Sequence, residues 1–384
     1  MISLLLFVAS FFVGVLGASL TPLQFLPIFC FLFFAVFFWK PKFSLIFFGF
    51  ILGVLRVEVF ESAEPQNVPW EQLVSFEGKV ISEVDRRIDH QKVTVETEWG
   101  RVLLTLSLYD EVEFGDVLIA KGQLETPPEF EDEVYRYADY LALHRVWILM
   151  PSPQLLAVQR APPSFFSMIF DFKKRVEARI QSLYFEPEAS FVAGLLLGSR
   201  KGLPEELTLA FQRTGLSHIV AISGYNISLL VAVLFYVLSF LNFKKRILFS
   251  SVGILIFVIL VGASAAVLRA GLMGLLTLWG LYAGRKSQAL FGLLWSALIM
   301  TLINPYTLVY DIGFQLSFAA TLGILLFHPM LAGLFPDRKK FLWVREPLLL
   351  TLSAQITTTP FMLLYFGRFS LISPLANLLV APLI

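Results

Sequence analysis

Long uncharged apolar runs separated by short polar turns fill most of this chain, and one interval breaks the pattern. Residues 2–20 and 23–39 carry no charge, and a third run from 43 to 59 holds Arg56 and Glu58 near its end. Each run is long enough to cross the roughly 30 Å of a bilayer's hydrocarbon core. The first has no basic leader, and two more runs follow it at once, which argues against a signal peptide cleaved near Gly17-Ala18-Ser19. From 61 to 163 charges become dense, and short alternating β-branched and aromatic stretches are punctuated by Gly and Pro. This interval predicts strands at 73–84, 91–98, 101–109, 117–124 and 146–150, with a helix at 132–144 before the last. Five strands and one helix suit a small β-barrel of the OB type, and another small α+β sheet domain fits the same pattern.

After Pro162-Pro163, residues 164–185 pattern as an amphipathic helix, with Lys173, Lys174, Arg175 and Arg179 beside Phe165, Ile169, Phe172 and Val176. Such a helix is expected to lie along a lipid surface. The apolar piece at 188–199 is too short to span, so with a helical pattern at 203–213 it predicts a re-entrant hairpin. Full spans are expected at 216–241, 247–262, 265–283, 288–303, 312–328 and 347–366, and another opens near 370 and is still apolar at Ile384, so the chain reads as truncated inside a span. The expected fold class is a polytopic α-helical membrane protein with an inserted small β-barrel, OB-like soluble domain. Its divisions are N-terminal helices over 1–60, the soluble domain over 61–163, surface helix and hairpin over 164–215, and a multi-span module over 216–384.

Composition agrees with that pattern: 57% hydrophobic and only 15% charged residues exclude a chain of ordinary soluble domains. Net charge is +1, but the interval 61–163 holds 19 acidic against 9 basic residues, so wrapping DNA by charge is not expected there. The single cysteine, Cys30, excludes an intramolecular disulfide. Lys40 with Lys42, Lys244-Lys245-Arg246, Arg285-Lys286 and Arg338-Lys339-Lys340 mark cytoplasmic loops by the positive-inside rule. All four are satisfied if the chain starts inside, crosses three times and delivers the acidic domain outside.

Chemistry has few carriers. The four histidines form no ligand pair, no phosphate-binding loop is present, and no Ser lies in a nucleophile elbow, so no metal, cofactor, nuclease or ATPase activity is expected. What stands out is polar material inside the apolar runs: His218, Ser223, Tyr225, Asn226, Arg269, Asp311, Gln315, Gln355, Thr358 and Asn377. Hydrogen bonding between helices is the ordinary role of such groups, and pairing with Asp311 or another acid is the ordinary role of Arg269. The other reading is that they line a wet path or contact a charged substrate, because a guanidinium in a span costs about 2.5–3.5 kcal/mol. On one continuous helix His218, Tyr225 and Asn226 share a face, and Asp311 and Gln315 lie one turn apart. Gly224, Pro360 and Pro374 are expected helix breaks. Arg200, Lys201, Arg213 and Arg368 place positive charge on the outer side, where lipid phosphates or a polyanion would answer it.

The string from Gly194 to Ile227, GLLLGSRKGLPEELTLAFQRTGLSHIVAISGYNI, resembles the ComEC family of DNA-internalisation proteins. The likeness continues through Ala266-Val267-Leu268-Arg269-Ala270, Asn304-Pro305, Asp311 to Phe318, Ala354-Gln355 to Pro360 and Tyr365-Phe366-Gly367, and Asn377 and Pro382 extend it. Phe114-Gly115-Asp116-Val117 and the Tyr135–Leu143 stretch look like that family's OB-like external domain. Two departures stand out: Tyr225 occupies a position where the family commonly has His, and the His-x-His-x-Asp-His signature of a metallo-β-lactamase-like domain is absent. The resemblance implies a channel in the bacterial inner membrane that passes single-stranded DNA to the cytoplasm during natural transformation. Its implied partners are single-stranded DNA, membrane lipids, a DNA-receptor protein outside, a cytoplasmic motor or DNA-binding protein, and a homo-oligomer. Two other classes fit the polar spans: a secondary transporter or permease for a small or lipid-linked anion, and a membrane enzyme or scaffold with His218 and Asp311 as an acid–base pair.

Overall fold

A computed structural model describes residues 2–20, 44–61, 64–65, 67–87, 89–128, 137–199, 202–220, 224–284, 289–335 and 342–380. The second apolar run, Cys30, Ser223, Arg200, Lys201, Pro382 and three of the basic clusters lie outside the described residues. The chain divides into two units, one comprising 1–172 with 301–311 and the other 173–300 with 312–384.

In the first unit, helices α1 (Ile2–Leu20) and α2 (Ser44–Glu61) pack along their length. A Cβ added to Gly49 would lie 2.6 Å from Phe7 O, and one added to Gly53 would lie 2.9 Å from Val15 N. Small residues one turn apart thus let two apolar helices touch backbone to backbone. Because both numbers rise together along the contact, the two helices run in the same direction.

The sheet of this unit contains β1 (Leu73–Val80), β2 (Asp85–Arg86), β3 (Gln91–Thr97), β4 (Gly100–Leu106), β5 (Val117–Gln123), β6 (Val146–Pro151) and β7 (Gln154–Gln159). The order is β6-β4-β3-β1-β5-β7, with β2 on β3, and every pairing is antiparallel except β4 with β6. Alternation at period two sends Val93, Val95, Val102, Leu104, Leu118, Ile148 and Met150 into one core. Helix α3 (Tyr137–Leu143) precedes β6, and residues 129–136 of the helix expected at 132–144 are outside the described residues.

Among the described residues the sheet is not closed, so the expected barrel is open on one side. One isolated pair among those residues, Glu125 with Leu149, bridges the end of β5 to β6. The cause is β7, an unexpected strand, which pairs with β5 on the edge that closure would give to β6.

Among the described residues of the second unit, four helical segments are long and apolar enough to cross a membrane: Ser217–Phe240 (with 221–223 outside the described residues), Ala265–Tyr282, Ile312–Leu334 and Trp343–Phe366. In chain order from the boundary the helices are α4 (Phe165–Leu183), α5 (Glu188–Leu197), α6 (Glu205–Thr214), α7 (Ser217–Val220), α8 (Gly224–Val237), α9 (Phe243–Val261), α10 (Ala265–Tyr282) and α11 (Ala289–Ile303). The short α12 (Tyr306–Tyr310) returns to the first unit, and α13 (Ile312–Leu334), α14 (Leu342–Phe366) and α15 (Ser373–Val380) follow. Helix α9 starts four residues before the expected span, taking in Lys244-Lys245-Arg246, because the Asn242 side chain accepts from Lys245 N–H and caps it. Pro360 does not end α14, contrary to expectation: the helix runs through it, and Thr358 and Thr359 donate to the Ala354 and Gln355 carbonyls. Pro374 lies in the first turn of α15, where its missing N–H costs nothing.

Candidate functional site

The polar residues of the second unit gather in a few small groups. The first is centred on Arg269 of α10. Its Nε–H donates to Ser317 Oγ at 2.8 Å and its Nη1–H to Thr321 Oγ1 at 2.8 Å, with Met273 Sδ 3.8 Å from Nη1. Ser317 and Thr321 stand one turn apart on α13, so a single helix face supplies both acceptors. Arg269 forms no ion pair among the described residues, and the expectation that an acid would answer it is replaced by two neutral hydroxyls. Nη2 faces the start of α8, where a Cβ added to Gly224 would lie 3.7 Å away.

The second group joins two turns. Gly215 ends α6 in the left-handed conformation (φ 72°), and its N–H and that of Leu216 return to the Gln212 and Phe211 carbonyls. A Cβ there would fall 2.6 Å from Ser373 Cβ, so glycine is required both for the turn and for the approach of α15. His218 Nδ1–H donates to Gly215 O at 3.1 Å, Ser370 Oγ–H donates to Arg213 O at 2.8 Å, and Asn377 Nδ2–H reaches Ser373 Oγ at 3.4 Å. The Thr-Gly-Leu-x-His run thus makes a helix end and brings His218 and Asn377 to one locale. Arg213 and Arg368 are exposed.

Antiparallel α13 and α14 form a third group. Tyr365 O–H donates to Gln315 Oε1 at 2.7 Å, and Thr357 Oγ1–H donates to Ala319 O at 2.7 Å. Gly323 lets the helices close, since an added Cβ would sit 2.5 Å from Ser353 O and would also meet the Thr357 hydroxyl. At the far end of this pair His328 Nε2 lies 3.1 Å from Glu346 Oε2, and Arg345 donates from Nη1 to Glu346 Oε1 (2.6 Å) and from Nη2 to Ala332 O (2.8 Å). Gln355 and Thr358 are half-buried on α14.

Other candidates are already committed. Asn226 Nδ2–H donates to Leu195 O at 2.9 Å and ties α8 to the end of α5, while Tyr225 beside it is exposed. Asp311 closes the first unit and acts electrostatically on His144 there. Loss of hydration holds the His144 imidazole below its usual pKa, with Asp311 pulling it up and Arg101 pushing it down. His218 belongs to the other unit. In the first unit Asn304 Nδ2–H donates to Leu143 O at 2.8 Å, and Arg56 donates to Leu302 O and Ile303 O, so the Asn-Pro segment is fastened to that unit. Thr321 and Tyr365 were not among the expected site residues. Their signal was spacing: Thr321 lies four residues after Ser317 on one helix face. No group of three His, Cys, Asp or Glu that could hold a metal is found among the described residues.

Comparison with known proteins gives two matches. The family described as Competence protein matches residues 195–384. ComE operon protein 3 of Bacillus subtilis (strain 168) is 27% identical over 355 residues, covering 88% of this chain and 44% of the relative. The chain therefore spans less than half the length of that curated relative. No solved structure matches.

Proposed function

Because this chain is a ComEC-family protein, we propose that it forms the membrane channel through which single-stranded DNA enters the cytoplasm during natural transformation. The competence match over 195–384 carries this reading, since it covers the helices that hold Arg269, Gln315, Gln355 and Asn377. A strand crossing lipid needs a wet passage with surfaces that tolerate any base and few fixed charges, because a strongly basic tube would hold its cargo. Amides and hydroxyls supply most of the polar groups in these helices, and Arg269 is the candidate phosphate contact. His218, Ser223, Tyr225, Asn226, Asp311 and Thr358 complete the proposed lining, with Arg200, Lys201, Arg213 and Arg368 on the outer side.

The proposed setting is a multi-pass protein of the bacterial inner membrane. Its N-terminal helices cover 1–60, an extracytoplasmic OB-like domain 61–163, a surface helix and re-entrant hairpin 164–215, and the channel module 216–384. The parallel run of α1 and α2 supports three crossings before the external domain, because same-direction spans need a return between them. The parallel pairing of β4 with β6 supports the OB-like reading, which allows a partly open barrel. The α5 helix, about 15 Å long at ten residues, supports the re-entrant hairpin. A DNA receptor outside, a motor inside and a second copy of the chain remain proposed partners.

The test is uptake of labelled transforming DNA in cells carrying Arg269→Ala, with protein level checked. Internalisation is expected to fall at least tenfold while DNA binding at the cell surface persists. Normal internalisation in a strain lacking the gene altogether would end the channel reading.

A further inference from the structure

Strand β7 is exposed and uncharged, a combination that the rest of its sheet avoids. Every other strand except β6 carries at least one charged side chain. Burial accounts for β6, whose Val146, Ile148 and Met150 are buried. It does not account for β7, where only Leu155 is half-buried and Leu156 and Val158 are 51% and 37% exposed. Among the described residues no strand pairs with the outer side of β7, so alternate residues present N–H and C=O groups to the outside. Edges of this kind are ordinarily guarded by charge, proline or a bulge, and β7 has one bulge beside Ile119 but neither charge nor proline within it.

We propose that β7 pairs antiparallel with β7 of a second copy of this chain, joining the two sheets into one. Charge selects this occupant. A basic partner would be met best by acids along the edge, and β7 offers none, whereas a copy with the same excess of 19 acidic over 9 basic residues in 61–163 approaches most easily along an uncharged seam. Within the strand every antiparallel register about a twofold axis sets uncharged against uncharged, and one centred on Ala157 puts Leu156 against Val158 of the partner subunit. Lipid would cover the apolar side chains but supplies no partner for the outward backbone groups, and a second strand answers both. The pairing gives the second copy among the proposed partners a surface, and it does not depend on the passage of DNA.

The test uses the full-length protein in cell membranes, with Cys30→Ser and one new cysteine: Leu156→Cys, Ala157→Cys or Val158→Cys. Residues opposed across an antiparallel pair stand about 4.5–5.5 Å apart at Cα, within disulfide reach, so mild oxidation should turn at least one of these variants largely into a covalent dimer. Ile119→Cys, one strand further in, is the control, because its two copies would lie about 14 Å apart. Adding Leu156→Lys and Val158→Lys to Ala157→Cys sets like charges across the seam and should lower the dimer about tenfold, while Leu156→Thr with Val158→Thr should keep it. The single-cysteine series carries the test if the lysine pair disturbs the sheet. No dimer at the three edge positions, or an equal one at Ile119→Cys, would overturn the pairing. So would quenching of Leu156→Trp fluorescence by brominated lipid, which would make lipid the cover. Normal DNA uptake in a strain lacking the gene bears on the channel alone and leaves these cross-links unaffected, so the two readings fail separately.

Discussion

Asp116 in the sheet and Arg269 among the apolar helices meet one problem, an ionised group drawn out of water, and solve it in opposite ways. Asp116, 2% exposed, accepts from Glu113 N–H (2.9 Å) and Arg160 Nη1 (2.9 Å) on one oxygen and from Ala161 N–H (3.1 Å) on the other. Its charge is fully answered, and the answer stitches the turn before β5 to the end of β7. Arg269 is given hydroxyls that hold its direction and leave its charge whole. Removing a fully paired buried ion orphans its partners and destabilises a fold, whereas a guanidinium met only by neutral hydroxyls keeps its charge uncompensated.

The largest expected effect tests the first half of that contrast. Asp116→Ala orphans two backbone donors at about 1–3 kcal/mol each and frees Arg160. Hydrogen exchange on the full-length protein should show protection falling across β5 and β7 and unchanged around α10 and α13. Unaltered protection in the sheet would mean that Asp116 is no clamp, and the contrast would lose its structural member.

The family likeness alone does not separate these two roles, because Asp116 and Arg269 both lie in motif-like strings. Strands β1, β3, β4 and β6 are legible because alternation follows burial. Strand β7 is not: it lies on an exposed edge where no alternation is needed, directly after Pro151 and Pro153, and missing it made closure of the barrel look natural. Among the helices the apolar runs reveal element and length, whereas the partner of a lone Asn or Thr depends on which helices become neighbours. Asn226 reads as a lining residue and spends its amide on the Leu195 carbonyl. Thr357, outside the expected lining set, spends its hydroxyl on the Ala319 carbonyl of the neighbouring helix.

A smaller effect concerns the scaffold that presents Ser317 and Thr321. Gly323→Val pushes a side chain against the Ser353 carbonyl and the Thr357 hydroxyl, an overpacking cost of about 1–3 kcal/mol. In detergent the variant should melt at a lower temperature, and cysteine cross-links between α13 and α14 should slow. If melting is unchanged while oligothymidylate binding falls, α13 acts on the ligand by some route other than carrying its hydroxyls.

The smallest effect sharpens the comparison by removing burial from it. Asp89 is fully exposed, and a hydrogen bond from His90 (Nδ1 to Oδ1, 2.7 Å) holds its carboxyl below the usual range, helped by its own backbone N–H and the charges of His90 and Arg87. A carboxylate whose pKa is depressed on folding stabilises above its unfolded pKa, and that contribution is lost as pH falls through the folded one. In water the interaction is screened, so the stability change that accompanies the titration shift is too small to move the melting temperature measurably. Carbon-13 titration of Asp89 should show a low midpoint, and His90→Ala should return it upward with no change in melting temperature at neutral pH. A drop in melting temperature would mean that an exposed pair matters as much to this fold as the buried Asp116 clamp. Solvent exposure would then no longer be what separates the weak pair at Asp89 from the buried clamp at Asp116.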